Sequence, residues 1–237
     1  MRRPAQITLC ALLTLSASGC AQLEQFSSML SADGIPSTDS IAAGLREALR
    51  KGTEKAVNDL ARPGGFSGAR SIGLPQSLQG PADKLRKIGF AAHVDKFEGL
   101  LNTAAEKATP AAASIFAKAI SSLTIDDVNG ILHGGPTSAT DYLRKSSLAE
   151  VRAAVLPIIR GELEQVGAVA DFNNLRDKYN SLPLVTPIKA GPDDYVAERS
   201  CDAIFASLAA METDIRSNPA ARTSDLLRKV FAMQDKK

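Results

Sequence analysis

Tryptophan is absent from this 237-residue chain, and three Tyr and eight Phe are all the aromatics it has. Ala, Leu and Ile must therefore fill most of the interior. That composition suits closely packed helices better than a sheet built from β-branched and aromatic residues. Long hydrophobic runs are missing as well. The most apolar stretch, residues 7–17, is too short to cross a hydrocarbon core of about 30 Å comfortably, so a permanent transmembrane helix is not expected. Hydrophobic residues at 44% and charged residues at 23% also exclude a disordered tail or a multispan membrane protein.

Cysteine is scarce, and its placement is informative. Arg2 and Arg3 give a positive n-region ahead of the apolar stretch, which ends in Ala17-Ser18-Gly19-Cys20. Small residues directly before a cysteine look like a bacterial lipoprotein signal. On that reading residues 1–19 are removed, Cys20 becomes the acylated first residue, and residues 20–36 form a tether. Several acyl chains of the palmitate type, each buried methylene contributing about 0.8 kcal/mol, make release from the membrane negligible. Ala21 stands where an Asp would signal inner-membrane retention in many enterobacterial systems. The expectation is the periplasmic face of the outer membrane.

Loss of the signal removes two arginines and no acid, leaving 26 basic and 26 acidic side chains. The positive formal charge thus belongs to the signal, and nucleic acid is not an expected partner. Cys10 leaves with the signal, so Cys201 is the only free thiol and no intramolecular disulfide can form.

The domain, residues 37–233, reads as all-α: eight to ten helices, with a frayed tail at 234–237. Ser37 to Ser40 offer N-caps before Ile41, Leu45, Ala48, Leu49, Ala56, Val57 and Leu60, spaced as one helical face ending near Ala61. Residues 63–80 are glycine-rich and read as a long packed loop, with room for a very short strand pair. Later starts are expected at Pro81, at Thr109-Pro110 with Thr as cap, and at Thr124 to Asp127 as a capping box. Ser147 to Glu150 has the same box spacing, before a series Val151, Val155, Ile158, Ile159, Leu163, Val166 that Pro157 should bend or divide. A further helix starts at Asp193 or Asp194. Asn218-Pro219 precedes a last one carrying Leu226, Leu227, Val230 and Phe231.

Several of these segments, taken in order, carry a resemblance. Leu45 to Leu49 with Gly52-Thr53, residues 72–78, Ile131 to Gly135, Thr140-Asp141-Tyr142, and Asn218 to Arg222 with Asp225 to Leu227 resemble a bacterial lipoprotein family, domain-of-unknown-function family 4197. The resemblance covers residues 41–231. It implies an exported, mainly helical lipoprotein and supplies no catalytic residue or substrate. His133 stands where that family is expected to carry Asn.

Chemistry-bearing motifs are few. His93, His133 and Cys201 are widely separated, and no spacing supports a metal site. Asp126-Asp127 and Asp193-Asp194 are explained by helix starts. There is no phosphate loop and no Gly-x-Ser-x-Gly elbow. Cys201 lies inside a helical segment and reads as a buried, inert thiol. No catalytic residue, cofactor or metal is therefore assigned. The candidate partner-binding residues are Phe66, Arg70, Ile72 and Leu74 of the loop, although the apolar ones equally suit docking onto the body. Candidate ligand contacts are His133, Tyr142 and Arg144. Three classes remain open: a periplasmic interaction or envelope-support protein, a helical carrier of lipid or another apolar molecule, and an enzyme. The first is favoured, with an envelope protein as partner.

Overall fold

A computed structural model describes residues 37–181, 187, 191–222, 228 and 231. Cys20, the tether, Leu226, Leu227, Val230 and the tail lie outside them. Among the described residues the chain is all helix, with no strand. Eight α-helices follow one another within the described residues: α1 Thr38–Ala61, α2 Gln76–Leu85, α3 Ala91–Ala108, α4 Ala112–Ser121, α5 Ile125–His133, α6 Ser138–Gln165, α7 Ala168–Asn180 and α8 Pro192–Ser217. None of the described helices alone is long and apolar enough to cross a membrane.

α1 forms as its sequence dictates. Ser37 Oγ accepts the Ser40 N–H at 3.2 Å, satisfying one donor of the first turn. Leu45, Ala48, Ala56, Val57 and Leu60 face inward and are buried. The two longest helices, α6 and α8, pair antiparallel and organise the core. Thr140 meets Glu212 near one end, and Arg160 meets Asp193 near the other. On α6 every fourth residue turns inward: Leu143, Ser147, Val151, Val155, Ile159 and Leu163 are all buried. From α8, Val196, Ala197, Cys201, Ile204, Phe205 and Leu208 fill the facing surface. Phe205 packs edge-on against Phe116 of α4, with centroids 5.7 Å apart. With few aromatics, alanines such as Ala104, Ala105, Ala108 and Ala112 let neighbouring backbones approach closely.

Several local expectations are corrected. Ser147 starts no helix: it is buried mid-helix, its Oγ donating to the Leu143 carbonyl at 2.5 Å. The break falls earlier, at Gly134 to Thr137, so α6 begins at Ser138 and runs undivided through Pro157. Pro157 and Ala153, whose carbonyl loses its intrahelical donor, are both on the exposed side, so water can satisfy the freed acceptor. Ile158 and Val166 are exposed, because the inward stripe steps by four and misses them. Thr109 does not cap; its buried hydroxyl donates back to the Ala105 carbonyl at 2.8 Å. α2 begins at Gln76 rather than Pro81. Pro75 ends the extended segment, and its carbonyl accepts the Leu78 N–H at 2.8 Å. The irregular stretch therefore closes at Pro75, and no strand pair forms in it.

Thr124 and Asp127 form the expected capping box. Thr124 Oγ1 accepts the Asp127 N–H at 3.1 Å, and Asp127 Oδ2 accepts the Thr124 N–H at 2.9 Å. Asn218 Oδ1 likewise accepts the Ala220 N–H at 3.1 Å.

Candidate functional site

The segment between α1 and α2 is irregular in backbone yet held at fixed points. Its turn starts with the Gly65 N–H donating to the Arg62 carbonyl at 2.8 Å. Gly64 adopts φ +78°, a region that side chains disfavour. At Gly65 any Cβ would lie 2.1 Å from the Leu60 carbonyl oxygen, so only glycine lets the chain fold back over the end of α1.

α3 pins this returning chain. Glu106 Oε1 accepts the N–H groups of Gly64 at 2.8 Å and Phe66 at 3.5 Å. One turn earlier, Asn102 Oδ1 accepts the Ile72 N–H at 2.7 Å, and its Nδ2 donates to the Ile72 carbonyl at 3.1 Å. One turn earlier again, Glu98 accepts from Arg86 at 2.9 Å. Glu98, Asn102 and Glu106 thus form a polar row of period four, with residues 64–86 running antiparallel alongside it. That period is visible in the sequence. The partners are not, because they lie 12 to 42 residues away.

The apolar loop residues take the packing role. Phe66, Ile72 and Leu74 are buried in the core. This corrects their candidacy for partner contact, since a buried side chain has no surface to offer. Arg70 is only partly buried, at the end of a 3₁₀ turn, Gly68–Arg70. Around it Ser67, Gly68, Ala69 and Ser71 are exposed. Lys55 donates to Asp59 at 2.8 Å and is the main reason that its carboxyl is held below the ordinary aspartate range, with smaller help from Arg62 and Arg70. The loop thus ends in a polar tip carried on an apolar, anchored base.

His133, Tyr142 and Arg144 go to separate partners. His133 is exposed at the end of α5, its Nδ1 donating to the Asn129 carbonyl at 2.9 Å. Tyr142 instead supports Asp127, whose carboxyl is held low chiefly by the Thr124 hydroxyl. Arg144 bonds Asp202 at 3.3 Å and lies 4.7 Å above the Phe205 ring. These contacts assemble no shared acid–base or ligand geometry. Cys201 is buried, and burial pushes its thiol up to about 11, away from thiolate reactivity. Among the described residues no group of His, Cys, Asp and Glu side chains could hold a metal ion.

Among the described residues, two hollows bear on ligand binding. An apolar one between α1, α6 and α8, lined by Leu45, Leu49, Gly52, Leu143, Met211 and Phe231, has a volume of about 40 Å³. Pockets for small organic ligands run from roughly 300 to 1,000 Å³, so this one is a packing gap by comparison. The other, about 320 Å³, is an open groove between α1 and α4 lined by Arg46, Glu47, Arg50, Ala117, Ile120 and Ser121. Its rim carries charged side chains from α1 over an apolar floor that includes Ala117 and Ile120. Arg46 there is already bonded to the Leu123 carbonyl at 2.6 Å.

Polar contacts that sequence reasoning missed occur where helices end. Glu212 of α8 accepts the Ala139 and Thr140 N–H groups at the start of α6, at 2.9 and 2.8 Å. Arg216 donates to the Ile131 carbonyl near the end of α5, at 2.8 Å. Arg160 pairs at 2.7 Å with the buried Asp193 in the first turn of α8. Glu212 and Asp193 place negative charge at helix starts, and Arg216 places positive charge at a helix end, as the helix dipoles favour.

Fold and site together define an all-helical single domain whose polar side chains chiefly secure helix ends and one long loop. Residues 36–232 match the family described as Protein of unknown function (DUF4197), and the chain belongs to that family. No curated protein and no solved structure matches it significantly.

Proposed function

We propose that this is a non-catalytic envelope lipoprotein, anchored through acylated Cys20 at the periplasmic face of the outer membrane, that binds an envelope protein through the tip of its 62–75 loop. The observation that carries this reading is the fixed presentation of the tip. Glu106 and Asn102 hold its backbone while Phe66, Ile72 and Leu74 sink into the core, leaving Ser67 to Ser71 outward. A surface already ordered before association loses less conformational freedom on binding. Variable loops on a packed scaffold are also good recognition elements.

The anchor and the tip are tested separately. Intact-mass analysis of the membrane-extracted protein should find an acylated Cys20, and Cys20→Ser should block acylation and normal processing. An unmodified wild-type N-terminus would remove the anchor from the proposal. A photo-crosslinker placed at Ser67 or Ser71 in intact cells should give a defined protein adduct that Arg70→Ala weakens at unchanged abundance. Absence of any tip-dependent adduct would reject this loop as the recognition site.

A further inference from the structure

The tip of the 62–75 loop carries more positive charge than its own acids answer. Lys55, Arg62 and Arg70 lie around one carboxylate, Asp59, and each favours its ionised form. Lys55 takes that carboxylate at 2.8 Å. Glu106, the other acid beside the loop, is engaged by the Gly64 and Phe66 N–H groups. Three cations thus face two acids that already have partners. Among the described residues Arg62 and Arg70 make no ion pair.

The rest of the tip offers little besides that charge. Arg62 is exposed and Arg70 partly so, and Pro63 and Ala69 are the exposed apolar side chains of residues 62–71. Two such small groups give a hydrophobic partner no anchor, whereas they let a partner's chain approach closely. A guanidinium presents paired N–H donors that match a carboxylate, and the match is strongest when both groups are charged. Glu106 and Asn102 hold the backbone at Gly64, Phe66 and Ile72, on both sides of the tip. The arginines are therefore carried on a backbone that needs no ordering on association.

We propose that the protein partner presents an acidic segment, and that Arg62 and Arg70 together select it by binding its carboxylates. This rests on the loop-recognition reading; it adds the chemistry of the partner and a second determinant, Arg62, on the other side of the tip from Arg70.

Crosslinking in intact cells tests it, with the full chain carrying a photo-crosslinker at Ser71 and either arginine replaced by Gln or by Lys. Arg62→Gln and Arg70→Gln together should lower the protein adduct about tenfold at unchanged abundance. The two Lys variants keep the charge and should retain most of it. Arg62 is exposed, so Arg62→Gln alone stays informative if Arg70→Gln disturbs packing. Mass spectrometry of the adduct should place the crosslink in a stretch of the partner rich in Asp and Glu. Wild-type yield in both Gln variants, a crosslinked segment without acidic residues, or an adduct to phospholipid would overturn the acidic partner while leaving the loop as a contact surface. No adduct from any tip position would reject the loop-recognition reading and this inference with it.

Discussion

The Asn102 side chain satisfies both backbone polar groups of Ile72, accepting its N–H at 2.7 Å and donating to its carbonyl at 3.1 Å. One amide side chain thus does for this loop what a neighbouring strand would do in a sheet. Asn102→Leu leaves both backbone groups without that partner beside the buried Ile72 side chain. The expected loss is about 1–3 kcal/mol in denaturant titration. A loss within the range of surface substitutions would show that water replaces the amide freely.

The capping box at Thr124 has a pH signature with a definite sign. Its hydrogen bonds hold the Asp127 carboxyl below the ordinary aspartate value. A group lowered on folding adds stability above its unfolded pKa, and that contribution is lost as pH falls through the lower folded pKa. Asp127→Asn should therefore reduce the wild-type advantage at neutral pH and flatten the acid limb of the stability curve. Thermal melts of the two proteins from pH 6 down to 2 check this. Parallel acid limbs would contradict it.

Cys201 is expected to be silent in the native state. Burial has pushed its thiol to about 11, so almost no thiolate exists near neutral pH. Labelling with a thiol reagent at pH 7.5 should proceed only as fast as the domain opens, and become rapid in denaturant. Fast native labelling would place the thiol at the surface.

Gly52 is a helix-interior glycine beside the small hollow under α8. A Cβ built there meets no atom within 4 Å. Gly52→Ala should accordingly stabilise the domain by about 0.5–1 kcal/mol, through helix propensity and reduced freedom of the unfolded chain. A destabilised variant would mean that the hollow closes in solution.

Sequence and structure agree where the forces are local. The α1 stripe, the Thr124–Asp127 box and the Asn218 cap all join residues within a few positions of one another, so spacing alone reveals them. Family membership was legible for the same reason, as short segments in a fixed order. The Ser147–Glu150 box shows where local reading fails. Its spacing matches that of Thr124–Asp127, yet the chain before Ser147 is already helical, so its hydroxyl bonds the preceding turn instead.

What tertiary structure alone decided is which of two uses each ambiguous side chain serves. Phe66, Ile72 and Leu74 are equally apolar on a recognition surface and in a core; burial against the helices assigns them to the core. Glu106, Asn102 and Glu212 belong to no local motif that names their partners. Folding brings them to backbone groups 30 to 73 residues distant that would otherwise lack partners. Local periodicity determined the helices of this protein, because a helix closes its hydrogen bonds within a few residues. The loop and the helix ends have donors and acceptors that no nearby residue can satisfy, so only the packed chain could decide what meets them.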